Sequence, residues 1–135
     1  MMKQIAEYLE LLKLSYKWHK AEDMFHLAFS EDQGKVEYTI RINITDKWVQ
    51  VFTDIYEVDK IPVEKRAAVF QDLLAANRKY AEVCFDYNET KRRIGTSQEQ
   101  MKQGLTFDTF RAEFLAVPWA VKKFWSEIAT KYDLK

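Results

Sequence analysis

Ile5, Leu9, Leu12 and Tyr16 recur at the three-to-four spacing that puts side chains on one side of a helix, while Lys3, Glu7, Glu10 and Lys13 occupy its other sides. This spacing predicts a helix from about Met2 to Lys17. Phe25, Leu27 and Phe29 then alternate with Met24, His26 and Ala28, and Glu31-Asp32-Gln33-Gly34 comes next as turn chemistry, so a strand is expected there. Val36, Tyr38, Ile40, Ile42 and Ile44 alternate with Glu37, Thr39, Arg41, Asn43 and Thr45, the period of a strand with one buried face. Beyond Asp46-Lys47 a third strand folds back. An even-length loop sets Ile44 opposite Val49, Ile42 opposite Val51, Ile40 opposite Thr53 and Tyr38 opposite Ile55, whereas an odd loop sets apolar against polar. The aliphatic match selects the even loop. Arg41 then faces Phe52, and the rings of Trp48, Phe52 and Tyr56 project away from the aliphatic layer.

Pro62 suits the first turn of a second helix, with Glu64 near the positive end of its dipole. Val63, Ala67, Phe70, Leu74 and Asn77 form its expected buried stripe, with Leu73 beside it, and Asn77-Arg78-Lys79 its expected end. Val83, Phe85 and Tyr87 read as a strand, with the segment from Lys91 to Thr96 returning as a second hairpin. The polar stretch from Gly95 to Gly104 lacks a clear period and reads as a connecting loop. Thr106 is a good N-cap for a helical run through Phe110, Phe114, Val117, Val121, Phe124 and Ile128, in which Pro118 predicts a kink or break near Ala116. The expected fold is a single α+β domain spanning residues 1–135. Its elements run helix, three antiparallel strands, helix, two strands and a kinked terminal helix.

Leu73-Leu74-Ala75-Ala76-Asn77 leads through Tyr80 and Ala81 into Val83-Cys84-Phe85-Asp86. This run and the order of elements resemble the YbjN family, whose fold is shared with the type III secretion chaperones. There a helix ending in a Leu-Leu-x-x-Asn-like run likewise feeds a strand of the form Ala-x-hydrophobic-x-hydrophobic-Asp. The resemblance covers nearly the whole chain. It implies a protein-binding or regulatory module, dimeric and without catalytic residues.

Composition narrows the classes further. Of 135 residues 47% are hydrophobic and 15% aromatic, enough to bury a core. Lys and Arg number 21 and Asp and Glu 21, so the chain lacks the basic excess common in phosphate-backbone binders. One cysteine cannot form an internal disulfide. No apolar run approaches the ~20 residues that cross a bilayer, and Lys3, Glu7 and Glu10 interrupt any signal-peptide core. A soluble, cytoplasmic protein is expected. Gly34, Gly95 and Gly104 are scattered, which argues against a phosphate-cradling loop.

The candidate partner-binding residues are Arg41, Trp48, Phe52 and Tyr56, where an arginine over aromatic faces suits a protein or peptide partner. The competing reading places a helix over those rings as a second core layer. Charge is uneven: residues 1–60 hold 8 basic and 11 acidic side chains, and Arg78, Lys91, Arg92 and Arg93 lie in the basic remainder. Those four form an alternative nucleic-acid-binding patch, or a charged edge guarded against aggregation. His19, His26 and Cys84 are too few and too scattered for a predicted zinc site, so no metal or cofactor is expected and His26 reads as structural. Cys84 as a nucleophile lacks an adjacent base. Asp54, Glu57 and Asp59 read as rim and turn acids rather than a catalytic pair, so no enzymatic activity is expected. Trp119 and Trp125 can anchor a homodimer.

Overall fold

The computed structural model describes every residue, Met1–Lys135. Helix α1 (Met2–Leu11) precedes strands β1 (Lys17–His19), β2 (Met24–Glu31), β3 (Val36–Ile44) and β4 (Trp48–Glu57), then come α2 (Val63–Lys79), β5 (Phe85–Asn88), β6 (Arg93–Met101) and α3 (Phe107–Lys123). The strands make one antiparallel sheet in the order β1-β2-β3-β4-β6-β5.

Helix α1 stops well short of the predicted Lys17. Lys13 takes a left-handed conformation (φ 60°). Its N–H donates to the Glu10 carbonyl, and the Leu14 N–H donates to the Leu9 carbonyl, both at 3.0 Å. These two bonds satisfy the last helical carbonyls and turn the chain, with a lysine where glycine is usual. The residues released from the expected helix lead into β1, which the apolar spacing did not reveal.

One face of the sheet is dry. Phe25, Leu27, Ile40, Ile42, Val49 and Val51 bury against Ile5 and Leu9 of α1 and Phe110, Phe114 and Val117 of α3. At the other end, Val69 and Leu73 of α2 close over Phe85, Ile94 and Phe124. The predicted pairs Ile42–Val51 and Ile44–Val49 are present, as is Arg41 opposite Phe52. There the β3–β4 ladder ends, so Ile40–Thr53 and Tyr38–Ile55 are not paired; the Thr53 hydroxyl instead donates to the Thr39 carbonyl at 2.7 Å.

Two further expectations are corrected. Val63 and Leu74 are 73% and 69% exposed, because α2 overlies only the β5 end of the sheet and buries Val69 and Leu73. The helix ends at Lys79, within the expected run Asn77-Arg78-Lys79, and Asn77 has a further role. Its side-chain amide brackets the N–H and C=O of Phe85 at 2.7 and 3.1 Å, capping the first rung of the edge strand. The stretch expected as a loop from Gly95 instead continues the expected hairpin strand as far as Met101, giving β6, held between β4 and β5. Its inward positions include Thr96 and Gln100, polar residues that conceal the alternation. The Thr96 hydroxyl is satisfied by the Cys84 carbonyl at 2.9 Å.

Pro118 breaks nothing. The expected capping by Thr106 is present, and α3 runs from Phe107 to Lys123 through the proline, then widens into a π-helical stretch, Phe124–Ala129. An interior proline costs about 3 kcal/mol. Buried Phe114, Val117, Val121 and Phe124 flank it on the sheet side, and their burial at about 1.5–3 kcal/mol each holds the helix in place.

The C-terminal helix is tied to α2 by Asp72, which accepts from Lys131 Nζ at 2.9 Å and Tyr132 Oη at 2.6 Å. Those donors, Lys131 first, hold the Asp72 carboxyl below the ordinary carboxylate range. A carboxylate depressed by folding adds stability above its unfolded pKa, and that stability is lost as pH falls through the folded value. Asp72→Asn is expected to cost less than about 1 kcal/mol near neutral pH, because the cluster is largely solvent-screened. In urea denaturation the difference from wild type should vanish by about pH 2.

Candidate functional site: the open face of the sheet

All three helices lie on the dry side, and the opposite side carries none. Cross-strand pairing lines up Lys17, His26, Arg41, Phe52 and Ser97 as one row across β1, β2, β3, β4 and β6. Beside it Asn43, Gln50 and Glu99 form a second row, joined by side-chain hydrogen bonds of 2.9 and 3.1 Å. Asp54, Gly95 and Asp86 make a third. These rows floor a groove of about 510 Å³ whose lining is polar apart from Met24 and Phe52.

The four predicted partner residues do not share one surface. Arg41 and Phe52 are half-buried in the groove, and Glu22 from the β1–β2 turn reaches over them to Arg41, Oε1 to Nε 3.5 Å. Trp48, 38% exposed, stands outside the groove opposite Met101 on β6. Tyr56 is the correction. A β-bulge between Asp54 and Tyr56 inserts Ile55 and reverses the facing of the residues beyond it. Tyr56 therefore points into the core, 8% exposed, against Phe124 and Trp125, with its hydroxyl donating to the Lys135 carbonyl at 3.1 Å. Above the last β3–β4 pair the diverging strands bound a second cleft of about 1000 Å³, which Arg41 and Tyr56 both line.

Two of the four residues of the alternative basic patch are ion-paired. Arg92 pairs with Asp59 at 2.9 Å, and Arg93 meets Asp54 at 3.3 Å and Glu57 at 3.7 Å. Arg78 and Lys91 are exposed on separate elements. The Cys84 thiol is pushed up by partial desolvation and by the Asp86 charge, the reverse of what a reactive thiolate needs. Desolvation raises Asp86 as well, with Asp54 adding repulsion and Ser97 opposing through a hydrogen bond. Glu22 is lowered: although desolvation acts against it, the charges of Arg41, His26 and His19 prevail. His19 and His26, unconnected in the sequence reading, stack at 4.3 Å on this face. The missed signal was β1, too short to show a period. At the far flank, Phe70, Leu74, Phe85 and Tyr87 line a separate apolar groove between α2 and β5.

No family model matches the chain, and no curated protein matches it. Solved structures do. YbjN from E. coli superposes with a TM-score of 0.65 at 13% identity, over 95% of this chain and 93% of that one. A chain of the heterodimeric ExoU–SpcU complex from the type III secretion system of Pseudomonas aeruginosa gives 0.59 at 12%, over 87% and 91%. A chain of the HopA1–SchA chaperone–effector complex gives 0.59 at 9%, over 89% and 88%. The fold is that of YbjN and the type III secretion chaperones. At these identities the likeness concerns the backbone and leaves the open face as this chain's own.

Gly95 sets how tightly that face is built. A Cβ there would lie 2.7 Å from the Thr53 carbonyl oxygen and 2.9 Å from Asp86 Oδ1. The nearer contact is backbone of a paired strand and cannot swing aside. Gly95→Ala is expected to destabilise the protein by about 1–3 kcal/mol, as overpacking does, and chemical denaturation should read it.

Proposed function

We propose that this chain is a chaperone-like module that binds a protein or peptide partner in the cytoplasm through the open face of its sheet, without catalysing a reaction. The observation that carries this reading is the helix-free row centred on Arg41 and Phe52, an arginine and an aromatic ring in one concave surface. Residues of this kind dominate protein interfaces. Arg41 would take a carboxylate or backbone carbonyl of the partner, Phe52 an apolar side chain, and Trp48 the margin. Where β3 and β4 diverge, backbone groups released from the ladder offer further pairing for an extended peptide. The likeness to a chain from a chaperone–effector complex supports the reading at the level of the fold. Nucleic acid is the weaker alternative, since Arg92 and Arg93 are held by Asp59, Asp54 and Glu57.

The test begins with a partner captured by the wild-type chain from its native cell, its affinity then measured by calorimetry. Replacing Arg41 and Phe52 together with alanine should weaken it by about 2 kcal/mol, roughly thirtyfold, while the chain remains folded. A double variant that binds as wild type does would overturn the proposed surface. Trp48→Ala should have the smaller effect.

A further inference from the structure

We propose that His19, Glu22 and His26 form a binding site for a zinc-like divalent transition-metal ion on the open face of the sheet. Residue spacing alone did not suggest this, because the three belong to a strand, a turn and a second strand. The β1–β2 register brings them together. Lys17 pairs with His26 and His19 with Met24, so the two histidines are diagonal neighbours on the same outward face. The turn between them is fixed: the Asp23 N–H donates to the His19 carbonyl at 2.8 Å, with Asp23 left-handed at φ 59°. The imidazole planes stack at 4.3 Å, inclined by 10°.

Glu22 completes the set from above. Its Oε2 lies 3.2 Å from His26 Nε2, and its backbone N–H donates to His19 Nδ1 at 3.1 Å. One ligand atom from each residue falls within 4.8 Å of the other two. Bonds of about 2.0–2.1 Å in a tetrahedral site hold the donors roughly 3.3 Å apart, so no gap need close by more than about 1.5 Å. The adjustment falls on side chains at the surface, with His19 and Glu22 exposed and no core contact to break. In the metal-free protein His19 Nδ1 accepts a hydrogen bond from the Glu22 N–H, and the ion must displace that bond, either by taking Nδ1 itself or by binding Nε2 with the ring proton moved to Nδ1. Arg41, 3.5 Å from Glu22 Oε1, holds the second carboxylate oxygen and leaves Oε2 turned to the histidines.

The donors define the class of ion. Two imidazoles with one carboxylate suit zinc and its first-row neighbours, whereas magnesium and calcium require mostly oxygen. A bound ion would clasp β1, a three-residue edge strand, to β2 and leave its remaining coordination positions open to solvent.

The test uses the full, untagged chain. Titration with zinc should show one ion bound per chain and a rise in the thermal unfolding midpoint. Cobalt should give the visible absorption of a low-coordinate site, and excess magnesium or calcium should displace neither. Replacing both histidines with alanine should abolish binding and the midpoint rise together, and Glu22→Gln should weaken binding about tenfold or more. Should the alanine variant fail to fold by circular dichroism, the pair His19→Gln with His26→Gln replaces it. Histidine ring proton shifts in the wild type on adding zinc give a readout independent of any variant. Absence of zinc binding, equal binding by the double variant, or displacement by calcium would each overturn the proposal. Zinc binding and partner capture through Arg41 and Phe52 are measured separately, so the failure of one reading leaves the other standing.

Discussion

Ile40, Ile42, Val49 and Val51 are fully buried in a sheet whose side chains alternate strictly between faces, so their burial decides where every neighbour on β3 and β4 points. Slipping β4 by one residue against β3 would put Gln50 and Phe52 against α1 and α3 and leave Val49 and Val51 in water. Each buried aliphatic side chain contributes about 1.5–3 kcal/mol relative to exposure, so four of them fix the register more firmly than any polar contact on the other side. The open face inherits its composition from this constraint. Arg41 faces Phe52 because Ile42 faces Val51.

The alternation fails at one place, and much depends on the failure. The bulge at Ile55 carries Tyr56 to the core side, where it meets Phe124, Trp125 and the carbonyl of Lys135. The same stretch is where β4 leaves β3 and continues along β6 alone. A bulge increases twist and bends its strand, which gives a physical reason for the divergence that opens the second cleft. Thr53 bridges the start of that gap with its hydroxyl, a single bond in place of a ladder. The sheet thus has two regimes: a regular middle that sets the core, and a loosened end that ties down the C-terminal helix.

How much of this was legible in the sequence depends on where periodicity carries information. It identified β2, β3, β4 and the apolar faces of α1 and α3, because burial there is apolar and one-sided. It found the start of β6, in the segment from Lys91 to Thr96, and missed the continuation to Met101, where the inward Gln100 is polar and breaks the apolar alternation. It placed the α2 stripe wrongly, because a helix covering only a sheet margin buries few residues and Val63 and Leu74 have no partner to meet. The stop at Lys13 was hidden by the absence of glycine. Of the candidate site, Arg41 opposite Phe52 was readable from the register; the exclusion of Tyr56 was not, since a bulge adds one residue without changing composition. The approach of His19 to His26 depended on β1, whose three residues are too few to display an alternation.

The arginines on and beside the open face share one further property, which bears on how they can recognise a ligand. Arg41, Arg92 and Arg93 each have an acidic neighbour within 4 Å: Glu22, Asp59, and Asp54 with Glu57. A ligand carboxylate that approaches Arg41 must therefore exchange with the carboxylate already in place, and the difference between the two contacts sets what it gains there. Glu22 is the most consequential of these neighbours, because its two oxygens are divided between Arg41 and the histidines. Under the two proposals, a partner carboxylate on Arg41 would release Glu22 Oε1, the contact that keeps Oε2 turned to the histidines, and an ion on Oε2 would act on the same carboxylate from the other end. Occupancy at either end of this carboxylate would then change the energy at the other, and by linkage the coupling would be equal in both directions.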